Sequence, residues 1–377
     1  MATERLFRPA AVLQFLLDNS LLLVVGALAG LAWANAAPAS YERVSHLLAF
    51  GVNDIGMVFF FGLMTKEVYE ATLPGGPLSS RREAAVPIFA AAGGMVVPAL
   101  VYVSVVVWLG RSDLVRGWAI PCATDIAFAY LAARMIFKAG HPATPFLLLL
   151  AIADDAFGLI ILALAYPQKE LAPATLFVGV AIAVALAVAL RRRRVANFWI
   201  YVLGPGALAW AAMYFGGLHP ALALVPIVPA MPHPKSESSS GAVTPSTMHH
   251  FEAWWRIPVQ VVLLVFGFVN AGVSFSSVGT VTFVVLASLI VGKPAGIVLA
   301  TWLAERFGFR RPSGLDYRDL VTLGTAAGIG FTVALFFATA SFPAGIVLSE
   351  AKMGALLSVI ALPIAIAVGK ILRNPEP

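Results

Sequence analysis

The sequence predicts an all-α polytopic membrane protein of twelve transmembrane helices in a single domain spanning residues 1–377. Three observations carry that expectation. Sixty per cent of the residues are hydrophobic and 12% charged, with a mean hydropathy of +0.89, more apolar surface than a globular core could bury. Apolar runs near the length of about 20 residues that crosses a bilayer recur along the whole chain. The basic residues fall between those runs with a bias. If both termini are cytoplasmic, 18 of the 25 Lys and Arg lie in inside segments, against five in outside loops (Arg43, Arg111, Arg116, Lys169 and Lys352). That asymmetry matches the positive-inside rule.

The runs are centred near residues 24, 63, 97, 125, 155, 181, 205, 224, 264, 292, 329 and 360. The first, through Leu21–Ala34, reads as a retained span rather than a cleaved signal peptide, because the topology works with it in place. The second carries Lys66, one of only two basic residues inside a span. The sixth ends at Arg191–Arg194, a run that sets topology rather than binding nucleic acid. Between the eighth and ninth spans, residues 232–250 are rich in Ser, Pro and Gly and read as a flexible cytoplasmic loop. The lone Cys122 cannot form an intrachain disulfide and reads as a small packing residue.

Chemistry concentrates at membrane depth. Asp154 and Asp155 are the only charges between Pro145 and Tyr166, a stretch about 33 Å long as a helix, so both fall near the midplane. An ionised acid there costs at least about 2.5 kcal/mol, so a cavity, a partner or a proton must compensate. Adjacent residues on a helix point about 100° apart, so one acid can face water while the other reaches a neighbouring helix. Asp125 lies midway along Val115–Met135 beside Pro121 and Thr124, and Lys293 midway along Val281–Leu303. Gly324, Gly328 and Gly330 cluster at the middle of Asp319–Ala340. Such glycines, and a proline, allow helices to open at depth. Asp125 and Lys293 have the signs needed to neutralise the exposed ends of two broken helices. Carboxylates and carbonyls suit hard cations, and paired acids invite proton uptake, so cations and protons should compete there.

Seven segments in order then carry a resemblance: VNDIGMVFFF (52–61), AAGGMVVPAL (91–100), ATDIAF (123–128), AIADD (151–155), NAGVS (270–274), GKPAGI (292–297) and GIGFT (328–332). Together they resemble the NhaA family of bacterial sodium/proton antiporters over nearly the whole chain. The resemblance implies inverted repeats with two broken helices crossing at the midplane. It implies Asp155 as the principal sodium-binding carboxylate, Asp154 as the partner of Lys293 in coupling protonation to ion binding, and Thr124 and Asp125 at the crossing. Asp54 matches a family aspartate and is expected to be structural. In KEVYEATL (66–73), Glu67 matches the family's charged cluster, but Tyr69, Glu70 and Ala71 replace its lysine, arginine and second glutamate. Glu67, Glu70, His249, His250 and Glu252 are the candidates for a pH response, the last three lying ahead of the ninth span. The first outside loop, Asn35–Asn53, is shorter than in the best-known members, where a hairpin supports dimer formation.

The expected function is electrogenic exchange of Na+, with Li+ as a second candidate, for H+ by alternating access. It would serve pH and sodium homeostasis in the bacterial inner membrane, with both termini cytoplasmic. The chain is expected to be a transporter and not an enzyme, with no cofactor and no nucleic-acid partner, in contact with membrane lipid and with a homodimer as the candidate assembly. A sodium-coupled organic-anion transporter of the same fold is one alternative, which midplane Lys293 favours and the adjacent aspartates oppose. An intramembrane aspartyl protease is the other. It would leave Lys293 and GIGFT without a role.

Overall fold

The computed structural model of the protein describes residues 21–233 and 246–372, and their regular structure is entirely helical. Eight helices are long and apolar enough to cross a membrane, and two bent pairs bring the spans of this kind to 10. Helix α1, Leu22–Ala36, is the described part of the first expected span.

The expected eighth span is not a helix. Residues 218–231 form short turns, with 3₁₀ pieces at Pro220–Leu222 and Val228–Ala230. Pro220, Pro226 and Pro229 each lack an N–H and clash with a preceding carbonyl, so a continuous ladder cannot form. The backbone is satisfied instead by i→i+3 bonds such as Val225 N–H to Leu222 O and Met231 N–H to Val228 O. Leu222, Leu224, Ile227 and Val228 are buried. Burial in protein is the condition under which irregular backbone is tolerated at membrane depth.

The first outside loop is also different from the expectation. Residues from Pro38 form helix α2 (Pro38–Phe50), which continues through a π-helical turn at Gly51–Gly56 into α3 (Met57–Thr72). The resulting 35-residue helix is about 52 Å long, well beyond the roughly 30 Å hydrocarbon core. Further along, α4 is Arg81–Trp108 and the fifth span is α6, Ala143–Ala165. After α7 (Pro173–Arg192), α8 (Phe198–Tyr201) and α9 (Ala207–Gly216), the ninth span, α10, is Thr247–Ala271, so the predicted loop ends before residue 247. Its residues 234–245 lie outside the described residues.

Two spans are broken. Ser112–Cys122, a 3₁₀ helix, meets α5 (Ile126–Ile136) at 55°, and α13 (Tyr317–Ala327) meets α14 (Phe331–Ser341) at 54°. The first break passes through extended backbone at Ala123 and Asp125. In the second, a Cβ on Gly330 would sit 3.2 Å from Ala123 O, so a bare glycine lets the two breaks approach. Lys293 opens α12 (Lys293–Arg306), directly after a π-helical turn at Ser288–Gly292.

Small residues hold the long helices together. A Cβ on Gly296 of α12 would lie 2.1 Å from Gly93 O of α4, and one on Gly26 of α1 would lie 1.9 Å from Leu264 O of α10. Backbone therefore touches backbone, as in small-residue membrane interfaces. Gly296→Val should force α12 off α4 and displace Lys293. The expected loss is about 1–3 kcal/mol or more, read as a lower melting temperature of the purified protein in detergent. An unchanged melting temperature would show that this contact is not tight.

Candidate cation site

Asp125 sits where the two breaks meet. It caps α5, with the Phe128 N–H 3.5 Å from its Oδ1. Its Oδ2 accepts the Thr332 N–H at 3.3 Å and the Thr332 hydroxyl, both at the start of α14. One carboxylate thus faces the positive ends of two half-helices. The Asp125 N–H donates to Ile329 O at 2.7 Å, covering a carbonyl freed where α13 ends.

Lys293 works at the opposite polarity. Its ammonium donates to Cys122 O, the last carbonyl of the 3₁₀ half-helix, and lies 3.1 Å from Asp154 Oδ2. The Lys293 side chain is 0% exposed and that of Asp154 1%. A buried pair of this kind is expensive to break, because the survivor keeps its charge without water.

Asp154 and Asp155 diverge from α6. Asp154 faces Lys293, with Thr124 beside it. Asp155 lines a cavity of about 240 Å³ together with Glu67, Thr124, Asp125, Gln260 and Thr332. The walls are otherwise apolar, with Phe60 and Met64 of α3 and Val259 and Leu263 of α10 among them. The oxygen-rich end offers carboxylate, hydroxyl and amide donors of the kind hard cations take.

Four of the five candidate pH-response residues fall near one another, while the fifth points away. Lys66, buried on α3, is 2.6 Å from Glu70 and 2.6 Å from Glu252, and His249 Nδ1 is 3.7 Å from Glu252. Glu67 neighbours Lys66 in sequence and lines the cavity. His250 is exposed and faces Phe198 and Trp254 on the surface. His249, His250 and Glu252 belong to the first two turns of α10, not to a loop, with Ser246 accepting from the His249 N–H as the N-cap. His233 packs on Tyr69 with ring centroids 5.6 Å apart. Burial first, and then the charge of Arg191, hold its imidazole below the usual value. Asp54 stands elsewhere, in the π-helical turn, where its carbonyl accepts from Trp210 Nε1 at 2.7 Å.

Residues 12–371 match the sequence profile of the family described as Na+/H+ antiporter 1. The chain belongs to that family. It is 45% identical to the Na+/H+ antiporter NhaA of Geobacter metallireducens, over 96% of this chain and 98% of that protein. The NhaA of Geotalea uraniireducens is 44% identical over 96% of each, and that of Desulfitobacterium hafniense 44% over the same shares.

Within this family setting, two contributors to the site escape a reading of side-chain types, and a third is open to it. The Cys122 carbonyl is a backbone atom and leaves no mark in sequence. Lys66 could have been paired with Glu70 from their i, i+4 spacing on a helix, but its bond to Glu252 spans 186 positions. Gln260 is the one polar side chain between Arg256 and Asn270, a signal for a polar environment at depth.

Lys293→Ala should leave Asp154 buried without its counter-charge and Cys122 O without a donor. Stability should fall by about 3–5 kcal/mol, unless Asp154 takes up a proton, in which case transport should change its pH dependence. Melting temperature and transport both unchanged would contradict the pairing.

Proposed function

We propose that this chain exchanges Na+ for H+ across the bacterial inner membrane by alternating access; its relatives are named Na+/H+ antiporters. The observation that carries the reading is the division of labour between neighbouring acids. Asp155 lines an open, oxygen-bearing cavity, while Asp154 is sealed against Lys293. Asp155 is assigned the cation, and the Asp154–Lys293 pair the coupling of proton binding to cation binding. Thr124 supplies a hydroxyl beside them, and Asp125 holds the crossing closed. Li+ suits the same hard oxygens. Both termini are placed in the cytoplasm, from the 18-to-5 division of basic residues. Lipid is the surrounding solvent, consistent with exposed apolar side chains such as Phe177 and Ile182.

The exchange follows from competition. A proton and a cation use the same carboxylate oxygens, so binding of either opposes binding of the other. If the carrier re-orients with one or the other aboard, a gradient of one drives the other. The test is dissipation of a pH gradient in proteoliposomes on addition of Na+, Li+ or K+. No response to any of them would overturn the reading. Asp155→Asn keeps nearly the same volume but removes the anionic oxygen, and should abolish Na+-driven proton movement in a protein that still folds. Retained movement would place the cation elsewhere.

Competition also predicts the pH behaviour. Raising Na+ at acid pH should restore transport and shift the activity profile to lower pH. Rates that stay near zero however much Na+ is added would assign the pH response to a separate device. The Lys66–Glu70–Glu252–His249 cluster would then be the first to alter.

A further inference from the structure

We infer that Gln260 is a cation-coordinating, affinity-determining residue of this chain, supplying a neutral amide oxygen on the route to Asp155. The inference rests on the Na+/H+ exchange reading and adds to it a residue from a different helix.

Gln260 lies on α10 and lines the same cavity as Asp155, Thr124, Asp125 and Thr332. It stands two turns beyond Glu252, about 12 Å deeper along the helix axis. Every other residue from Ile257 to Val269 is apolar or glycine, so one carboxamide breaks an otherwise hydrocarbon face where it meets the cavity. A cation in this cavity meets apolar walls that include Leu63, Met64, Val259 and Leu263. It must shed water there, and stripping a cation in apolar surroundings is unfavourable unless oxygens replace the water. The deep oxygens are partly engaged. Thr332 donates its hydroxyl to Asp125, whose Oδ2 also receives the Thr332 N–H. Gln260 adds an oxygen from the facing wall. As a neutral ligand, it raises cation affinity without adding a carboxylate on which a proton could compete.

The test compares Na+-driven proton movement in proteoliposomes for the wild type, Gln260→Met and Gln260→Glu, with melting temperatures of the purified proteins. Methionine keeps length and helix preference but offers only a soft sulfur. Gln260→Met should raise the apparent KM for Na+ by about three- to tenfold, with the maximal rate within about twofold of wild type and the melting temperature unchanged. Gln260→Glu restores an oxygen and should bring the KM back to or below the wild-type value. An unchanged KM in Gln260→Met, or a lower maximal rate at unchanged KM, would overturn the inference in favour of a packing role. Should Gln260→Met fail to fold, Gln260→Asn decides: it keeps the amide but withdraws it by one methylene, and an unchanged KM there overturns the inference equally. A wild type that moves no protons on addition of Na+ would instead sink the exchange reading itself.

Discussion

A helix broken inside a bilayer exposes peptide groups that water cannot reach, and everything at the centre of this protein follows from how those groups are satisfied. Two breaks are placed against each other, so each supplies part of what the other lacks. The Asp125 carboxylate takes the amide ends of two half-helices, and its own N–H takes a carbonyl from the facing break. The remaining carbonyl end, at Cys122, takes the Lys293 ammonium. Lys293 in turn needs an anion, and Asp154 is that anion. A charged, titratable pair at membrane depth is therefore tied directly to the backbone arrangement that opens the site.

Two neighbouring carboxylates thereby stand in different surroundings. Helix geometry turns them apart, and the surroundings do the rest. One meets lysine in a sealed interior, and the other meets a cavity with room for a partly hydrated ion. Protonating Asp154 would weaken the hold of Lys293, and with it the tie to the Cys122 carbonyl. A change of charge at one atom would thus alter the mutual support of the two breaks, which is the kind of bistable element that alternating access needs.

Much of this was legible before any coordinates. Midplane acids, a midplane lysine, a proline beside Asp125 and a glycine cluster at 324–330 are local signals with local physical meanings. What escaped detection is either non-local or belongs to the backbone. The prolines at 220, 226 and 229 were visible, yet the apolar character of that run outweighed them and suggested a helix that the missing N–H groups forbid. Asn35–Asn53 reads as a loop between two apolar spans, yet only Pro38 interrupts it, and the chain beyond that proline runs helically into α3. His249, His250 and Glu252 read as lying ahead of the ninth span, while the helix starts at the Ser246 cap and takes them into its first two turns.

The 35-residue helix also has a mechanical meaning. It is tied to α10 at three places: Tyr41 donates to the Phe268 and Val269 carbonyls, each at 2.8 Å, Asn53 accepts from Asn270 at 2.9 Å, and Lys66 bonds Glu252 at 2.6 Å. The Asn53 and Lys66 ties are separated by roughly 20 Å along one helix and 27 Å along the other. Residues between these ties, Met64 on one helix and Val259 and Leu263 on the other, line the cavity. Helices joined in this way resist splaying, so if exposure of Asp155 alternates between the two sides of the membrane, the crossed, broken helices would be the elements that move.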